Sequence, residues 1–98
     1  MVLGHTTYNG YTAQQHNDFV IVFKKFLTEI KPSRVLEIGT AGGGFIMAIR
    51  DILDEIGLHN TPIKSFEVIN QTFYDELRNK NIEIIVDNIF DHSYLNIF

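Results

Sequence analysis

The residues best placed to do chemistry are an acid and the glycines that follow it, in Val35-Leu36-Glu37-Ile38-Gly39-Thr40-Ala41-Gly42-Gly43-Gly44. An apolar run that breaks into glycines before an amphipathic stretch reads as a strand ending in a ligand-cradling turn. Glycine permits positive φ and close approach of the backbone, and the helix that follows starts with unpaired N–H groups. The acid narrows the choice of ligand. A dinucleotide fingerprint spaces its glycines G-x-G-x-x-G and seats a pyrophosphate on the helix N-terminus. Here the spacing is G-x-x-G-G-G, and a carboxylate at Glu37 repels an anion. A P-loop fares no better: Gly39 and Gly44 have its glycine spacing, but Phe45 stands where the phosphate-binding lysine belongs.

The flanking pattern supplies the elements that position this turn. The first eleven residues, rich in Gly, Asn, Thr and Tyr, read as an irregular arm. Thr12-x-x-Gln15 offers a capping box for a helix carrying Phe19, Val22, Phe23, Phe26, Leu27 and Ile30, which Pro32 stops. A strand follows over 34–38. A second helix starts near Gly43, with Ile46, Ile49, Leu53 and Ile56 on one face, Arg50, Asp51, Asp54 and Glu55 on the other, and Gly57 at its end. Further strands span 63–68 and 82–86, with a short helix capped by Asn70 between them. A helix followed by β-α-β-α-β implies right-handed crossovers and a three-stranded parallel sheet, an α/β unit of partial Rossmann-like form. No repeat or linker interrupts residues 1–98, so they form one domain, with an arm over 1–11 and an α/β core over 12–98.

A ligand with a cationic amino-acid end, an adenosine end and no phosphate suits a carboxylate beside a glycine turn, and S-adenosylmethionine is such a molecule. The run Pro32 to Gly44, with Glu37-x-Gly39 and its glycine cluster, resembles motif I of the class I S-adenosylmethionine-dependent methyltransferases, in the branch with catechol-type and cephalosporin-hydroxylase-like members. The resemblance runs from about Ala13 to Val86 and covers the N-terminal, cofactor-binding half of such a domain. It implies that Glu37, Gly39, Thr40, Ala41, Gly42 and Gly43 meet the cofactor at the turn. Glu67, with Val68 beside it, stands where an acid binds the ribose diol in β-α-β nucleotide folds, against the plainer reading of a solvated strand-end acid. Asp87 and Asn88 fall where the family contacts adenine, or are simple turn formers. Tyr8, Tyr11, Gln14 and Gln15 would pass near the methionine end, with ordinary capping the stronger reading. Acceptor-side and metal residues of the family come from its fourth strand onward, so the catalytic residues and the methyl acceptor stay open. Three functions remain in order: a methyltransferase-like protein acting on a small-molecule acceptor, a non-catalytic cofactor-binding module or gene fragment working through a partner, and a nicotinamide-dependent oxidoreductase, which the glycine spacing and Glu37 disfavour.

Composition sets the outer bounds. The chain has 98 residues, 45% hydrophobic and 20% charged, an ordinary globular balance with a small margin of core. It has no cysteine, so disulfides and thiolate metal sites are excluded, and a formal charge of −4 with scattered basic residues argues against nucleic acid. His5, His16, His59 and His92 lack metal-ligand spacing, and Ser33, Ser65 and Ser93 lack a nucleophile elbow. No apolar run reaches membrane-spanning length and the first residues do not read as a secretion signal, which makes the cytoplasm the expected compartment and a membrane partner unexpected. The apolar end Tyr94-Leu95-Asn96-Ile97-Phe98 reads as a truncation. Apolar residues on successive strand positions make both sheet faces hydrophobic, and the resemblance implies that one is covered by later helices these residues lack; a homodimer is therefore expected, through that face or the first-strand edges, burying Val35, Leu36, Ile38, Phe66 and Ile84 or their neighbours.

Overall fold

The computed structural model describes residues 6–13 and 15–88. Its elements run β1 (Thr6–Tyr8), β2 (Tyr11–Ala13), α1 (Phe19–Ile30), β3 (Val35–Ile38), α2 (Gly44–Glu55), β4 (Ile63–Glu67), α3 (Tyr74–Arg78) and β5 (Glu83–Val86). The strands β3, β4 and β5 form a parallel sheet in that order, with Glu37 level with Ser65 and Ser65 with Ile84. This is the expected partial Rossmann-like arrangement, with β3 at an edge among the described residues.

The N-terminal segment departs from the expected irregular arm. β1 and β2 pair antiparallel about Asn9-Gly10, whose φ of 50° and 85° are those of a primed hairpin turn. With Thr12 and Ala13 drawn into β2, the capping box at Thr12 and Gln15 does not form. α1 starts instead at Phe19, after a turn in which His16 pairs with Asp18. Gln14 and the whole of 89–98, including His92, Ser93 and the apolar end, lie outside the described residues, as does His5.

α2 ends as its sequence predicts. Gly57 takes a φ of 89°, its N–H reaches Asp54 O and the Leu58 N–H reaches Leu53 O at 2.7 Å, the paired bonds of a Schellman motif. Arg50, expected on the solvent face, is buried. Its guanidinium donates to Thr61 O at 2.7 Å and Leu58 O at 3.0 Å and pairs with Asp54, so it fastens the loop after α2 with each of its three nitrogens matched to an acceptor. Asn70 does not cap α3, whose first turn follows Phe73 without a side-chain cap.

One sheet face carries Ile63, Ser65 and Ile84 against Leu53 of α2 and Leu77 of α3. The other carries Leu36, Ile38 and Phe66, with Lys64 and Glu83 in an ion pair of 3.1 Å between them. That second face is therefore not apolar throughout. Of the residues expected to await a partner, Leu36 and Ile38 are exposed, at 44% and 57%, whereas Phe66 is 2% exposed, Ile84 belongs to the covered face and Val35 packs partly into the core. Among the described residues, no helix is long and apolar enough to cross a membrane.

Candidate functional site

The C-terminal ends of parallel strands form the crevice where open α/β sheets receive ligands, because each strand there hands its chain to a loop. β3 delivers Glu37 and then Gly39, whose φ of 96° turns the chain away from the sheet while its N–H and that of Thr40 both donate to Phe66 O. Ala41 also takes a positive φ, 47°, and is braced on two sides: its N–H donates to Glu67 Oε2 at 2.9 Å and its carbonyl accepts from the Tyr74 hydroxyl at 2.7 Å. Glu67 completes the brace with Oε1 accepting from the Val68 N–H at 3.1 Å.

Two small hollows flank this turn and share Gly39. The first, of about 180 Å³, is lined by Ile38, Gly39, Phe66, Glu67, Val68, Asp87 and Asn88. The second, of about 140 Å³, lies under the hairpin, between Thr12, Ala13, Gln15 and Phe45 and the turn residues Glu37, Thr40, Ala41 and Gly42. Space opens at Gly39 itself, since a Cβ built there would meet nothing within 4 Å.

The remaining glycines answer to packing. A Cβ on Gly42 would fall 2.6 Å from Thr12 O, and one on Gly44 2.5 Å from Tyr11 O, so both are small because β2 crosses the start of α2 at backbone contact. The direction expected at Gly42 for a ligand's approach is thus taken by Thr12. Gly43, with φ 81°, precedes α2 and abuts the Leu77 side chain of α3; it lines neither hollow. The other nine sequence-predicted residues all line one hollow or the other.

Burial pushes the Glu37 carboxyl from its ordinary 4.5 up to about 7, against the pull of its Ser65 hydrogen bond and with the Glu67 charge pushing the same way as burial. The Ser65 hydroxyl donates to Glu37 Oε1 at 2.6 Å, and Thr40 Oγ1 stands 2.6 Å behind it. Burial, then Glu67 and Glu37, raise the Tyr74 phenol, which fits its part as a donor. Ser65 and Tyr74 were not singled out as ligand-site residues, because nothing in their own neighbourhoods of sequence ties them to the turn; their contacts with it cross 25 and 33 residues. Thr12, Ala13 and Phe45, also not singled out for the site, line the second hollow. Tyr8 and Tyr11 turn into the core, Tyr8 donating to Asp51 at 2.7 Å, while Gln15 does reach the second hollow. Among the described residues, no group of three or more His, Asp or Glu is placed to hold a metal ion.

A helix and three parallel strands joined by crossover helices make a partial Rossmann-like α/β fold. Solved structures of forms of cmcI share it. A Mg-SAM form matches with a TM-score of 0.71, 19% identity and 90% of this chain covered against 40% of that one. An SAH form gives 0.67, 19%, 90% and 46%, and an apo-structure 0.68, 19%, 88% and 37%. The chain therefore spans less than half the length of these proteins. No protein-family model matches the sequence, and no curated protein matches it either.

Proposed function

We propose that this chain binds S-adenosylmethionine and S-adenosylhomocysteine across the C-terminal ends of β3, β4 and β5, as the cofactor half of a methyltransferase-like protein. The observation that carries the reading is the pair of hollows meeting at Gly39, one holding Glu37 and the other Glu67, Asp87 and Asn88. Each is below the ~300 Å³ of an ordinary small-molecule site, so a long ligand spanning both fits better than a compact one. On this reading Glu37 faces the ammonium end with Gln15 nearby. Glu67 accepts from the ribose diol with the lone pairs its two backbone donors leave free, and Asp87 and Asn88 meet the adenine edge. Val68 and Ile38 supply the apolar walls. A pyrophosphate between Glu37 and Glu67 would face two carboxylates, which weighs against a nicotinamide dinucleotide. The solved relatives' SAM and SAH complexes support the same choice.

When bound, such a cofactor supplies a sulfonium methyl, and transfer depends chiefly on holding the acceptor in line with it. The share of the solved relatives that the chain spans favours a second reading beside the first: a binding module whose acceptor side comes from elsewhere. We also propose self-association through the open edge of β3, where exposed Leu36 and Ile38 flank backbone that, among the described residues, has β4 on one side alone. Isothermal titration with S-adenosylhomocysteine, S-adenosylmethionine and NAD tests the ligand. Heat with the first two and none with NAD is expected, and no heat with either at millimolar concentration refutes it.

A further inference from the structure

Behind Glu37 stands a chain of two buried hydroxyls. Ser65 is fully buried in the middle of β4, and Thr40 is buried at the turn; their oxygens are 2.6 Å apart, and Ser65 reaches Glu37 Oε1 at 2.6 Å. A hydroxyl has one proton to give, so the direction of this chain is a single two-way choice. Either Thr40 donates to Ser65 and Ser65 to Glu37, a bond that is charge-assisted when Glu37 is ionised and weaker when the proton sits on its other oxygen, or a protonated Glu37 donates to Ser65, Ser65 to Thr40, and Thr40 must find an acceptor. The acceptor at hand is Phe66 O, 3.4 Å away, and it already takes the N–H groups of Gly39 at 2.8 Å and Thr40 at 3.2 Å. A carbonyl has two lone pairs, so the second direction ends on a long, crowded bond. The first ends on a carboxyl oxygen and is strongest when that carboxyl is ionised.

We propose that Ser65, backed by Thr40, is a positioning residue that favours the ionised form of Glu37, with one oxygen tied behind and the other offered to the hollow, making the site prefer ligands that carry an ammonium group. The proposal rests on the cofactor reading above and adds to it which end of the ligand sets affinity and through which residues. The groups bearing on Glu37 are few among the described residues: Ser65 donates to it, Glu67 opposes its charge, and the Tyr74 phenol, a donor to Ala41 O, feels both acids. Burial works against ionisation, so the relay and an incoming cation act together, and binding an ammonium expels a proton.

The test uses the full chain labelled with carboxyl ¹³C-glutamate, as wild type, Ser65→Ala, Ser65→Thr and Thr40→Val. In the free protein the Glu37 titration midpoint should rise by about one pH unit in Ser65→Ala, less in Thr40→Val, and return toward wild type in Ser65→Thr, which keeps the hydroxyl. A midpoint unchanged in folded Ser65→Ala and Thr40→Val overturns the proposal, and if Ser65→Ala fails to fold, Thr40→Val alone decides. With ligand, Ser65→Ala should weaken S-adenosylhomocysteine about fivefold at pH 7 and less than twofold at pH 8.5, because a carboxyl titrating one pH unit higher is ionised about a fifth as often at pH 7. 5′-Methylthioadenosine, which lacks the amino-acid end, should change less than twofold at both. An equal loss at both pH values, or for both ligands, assigns Ser65 a purely structural part and overturns it. If wild type binds neither ligand, the cofactor reading fails while the carboxyl titration still tests the relay.

Discussion

Replacing Glu37 by Gln should stabilise the protein at neutral and alkaline pH. The free chain's carboxyl titrates near 4.5 and the folded one at about 7, raised chiefly by burial. Between those values the folded state binds the proton that the unfolded state has released, so stability is highest below 4.5 and falls as pH rises through 7. A gap of roughly 2.5 pH units at about 1.4 kcal/mol each is about 3 kcal/mol, a large share of the 5–15 kcal/mol of an ordinary domain. Gln keeps an oxygen to accept from Ser65 and the same volume, and it carries no charge to strand. The stability difference between Glu37→Gln and wild type should therefore grow by about 2–3 kcal/mol from pH 5 to pH 8, a widening of the Tm gap by roughly 10–20 °C. Urea unfolding of both proteins across that range measures it, and taking the difference cancels histidines that titrate alike in the two. A difference that stays flat within about 0.5 kcal/mol would show that Glu37 is solvated in the folded protein, and the reasoning from burial would fall.

Glu67→Ala should weaken S-adenosylhomocysteine by about 1.5–3 kcal/mol, read by isothermal titration, and loosen the Ala41 turn, read from the Ala41 and Val68 amide shifts. Gly42→Val should cost about 1–3 kcal/mol by driving a side chain into Thr12, and shifts confined to the turn, with those of residues 6–13 unmoved, would contradict the packing argument. The purified 98-residue chain should bind cofactor without methylating a catechol or a small amine at a measurable rate, since one reactant positioned without the other forgoes most of the proximity advantage. Light scattering should find a dimer, and Leu36→Lys should shift it to monomer; a stable 11.3 kDa monomer at high concentration refutes the edge-pairing argument.

The α/β order was legible because its signals are local. Val35-Leu36-Glu37-Ile38 before glycines, Gly57 after an amphipathic run, and Pro32 after another each act within a few residues. The hairpin was equally legible and missed: Asn9-Gly10 between Thr6-Thr7-Tyr8 and Tyr11-Thr12-Ala13 is the strongest short hairpin signal, but the Gly, Asn, Thr and Tyr content reads as an irregular arm, and the capping box at Thr12 gives way to its pairing in β2. Arg50 misled for the opposite reason. Helical spacing set it among acids, but the carbonyls that bury it belong to a loop whose path spacing does not encode. At the site, residue types pointed to Glu37 and Glu67, while Ser65 and Tyr74 became visible only when β4 and α3 lay beside the turn. The glycine cluster carried two meanings in one motif, open space at Gly39 and interlocked backbone at Gly42 and Gly44.

The bond from Glu67 across to the Ala41 amide joins the end of β4 to the loop leaving β3 before any ligand arrives. A loop left swinging would have to be frozen on binding, at roughly 1–2 kcal/mol of backbone entropy for each residue fixed. Here that ordering is complete at folding, so a ligand entering the crevice meets walls already set, and its association should be a single fast step with little heat-capacity change beyond the apolar surface it covers. The same latch limits what the loop can become: a ligand that needed Ala41 elsewhere would first have to break a charge-assisted bond, which makes rigidity here a means of excluding other shapes.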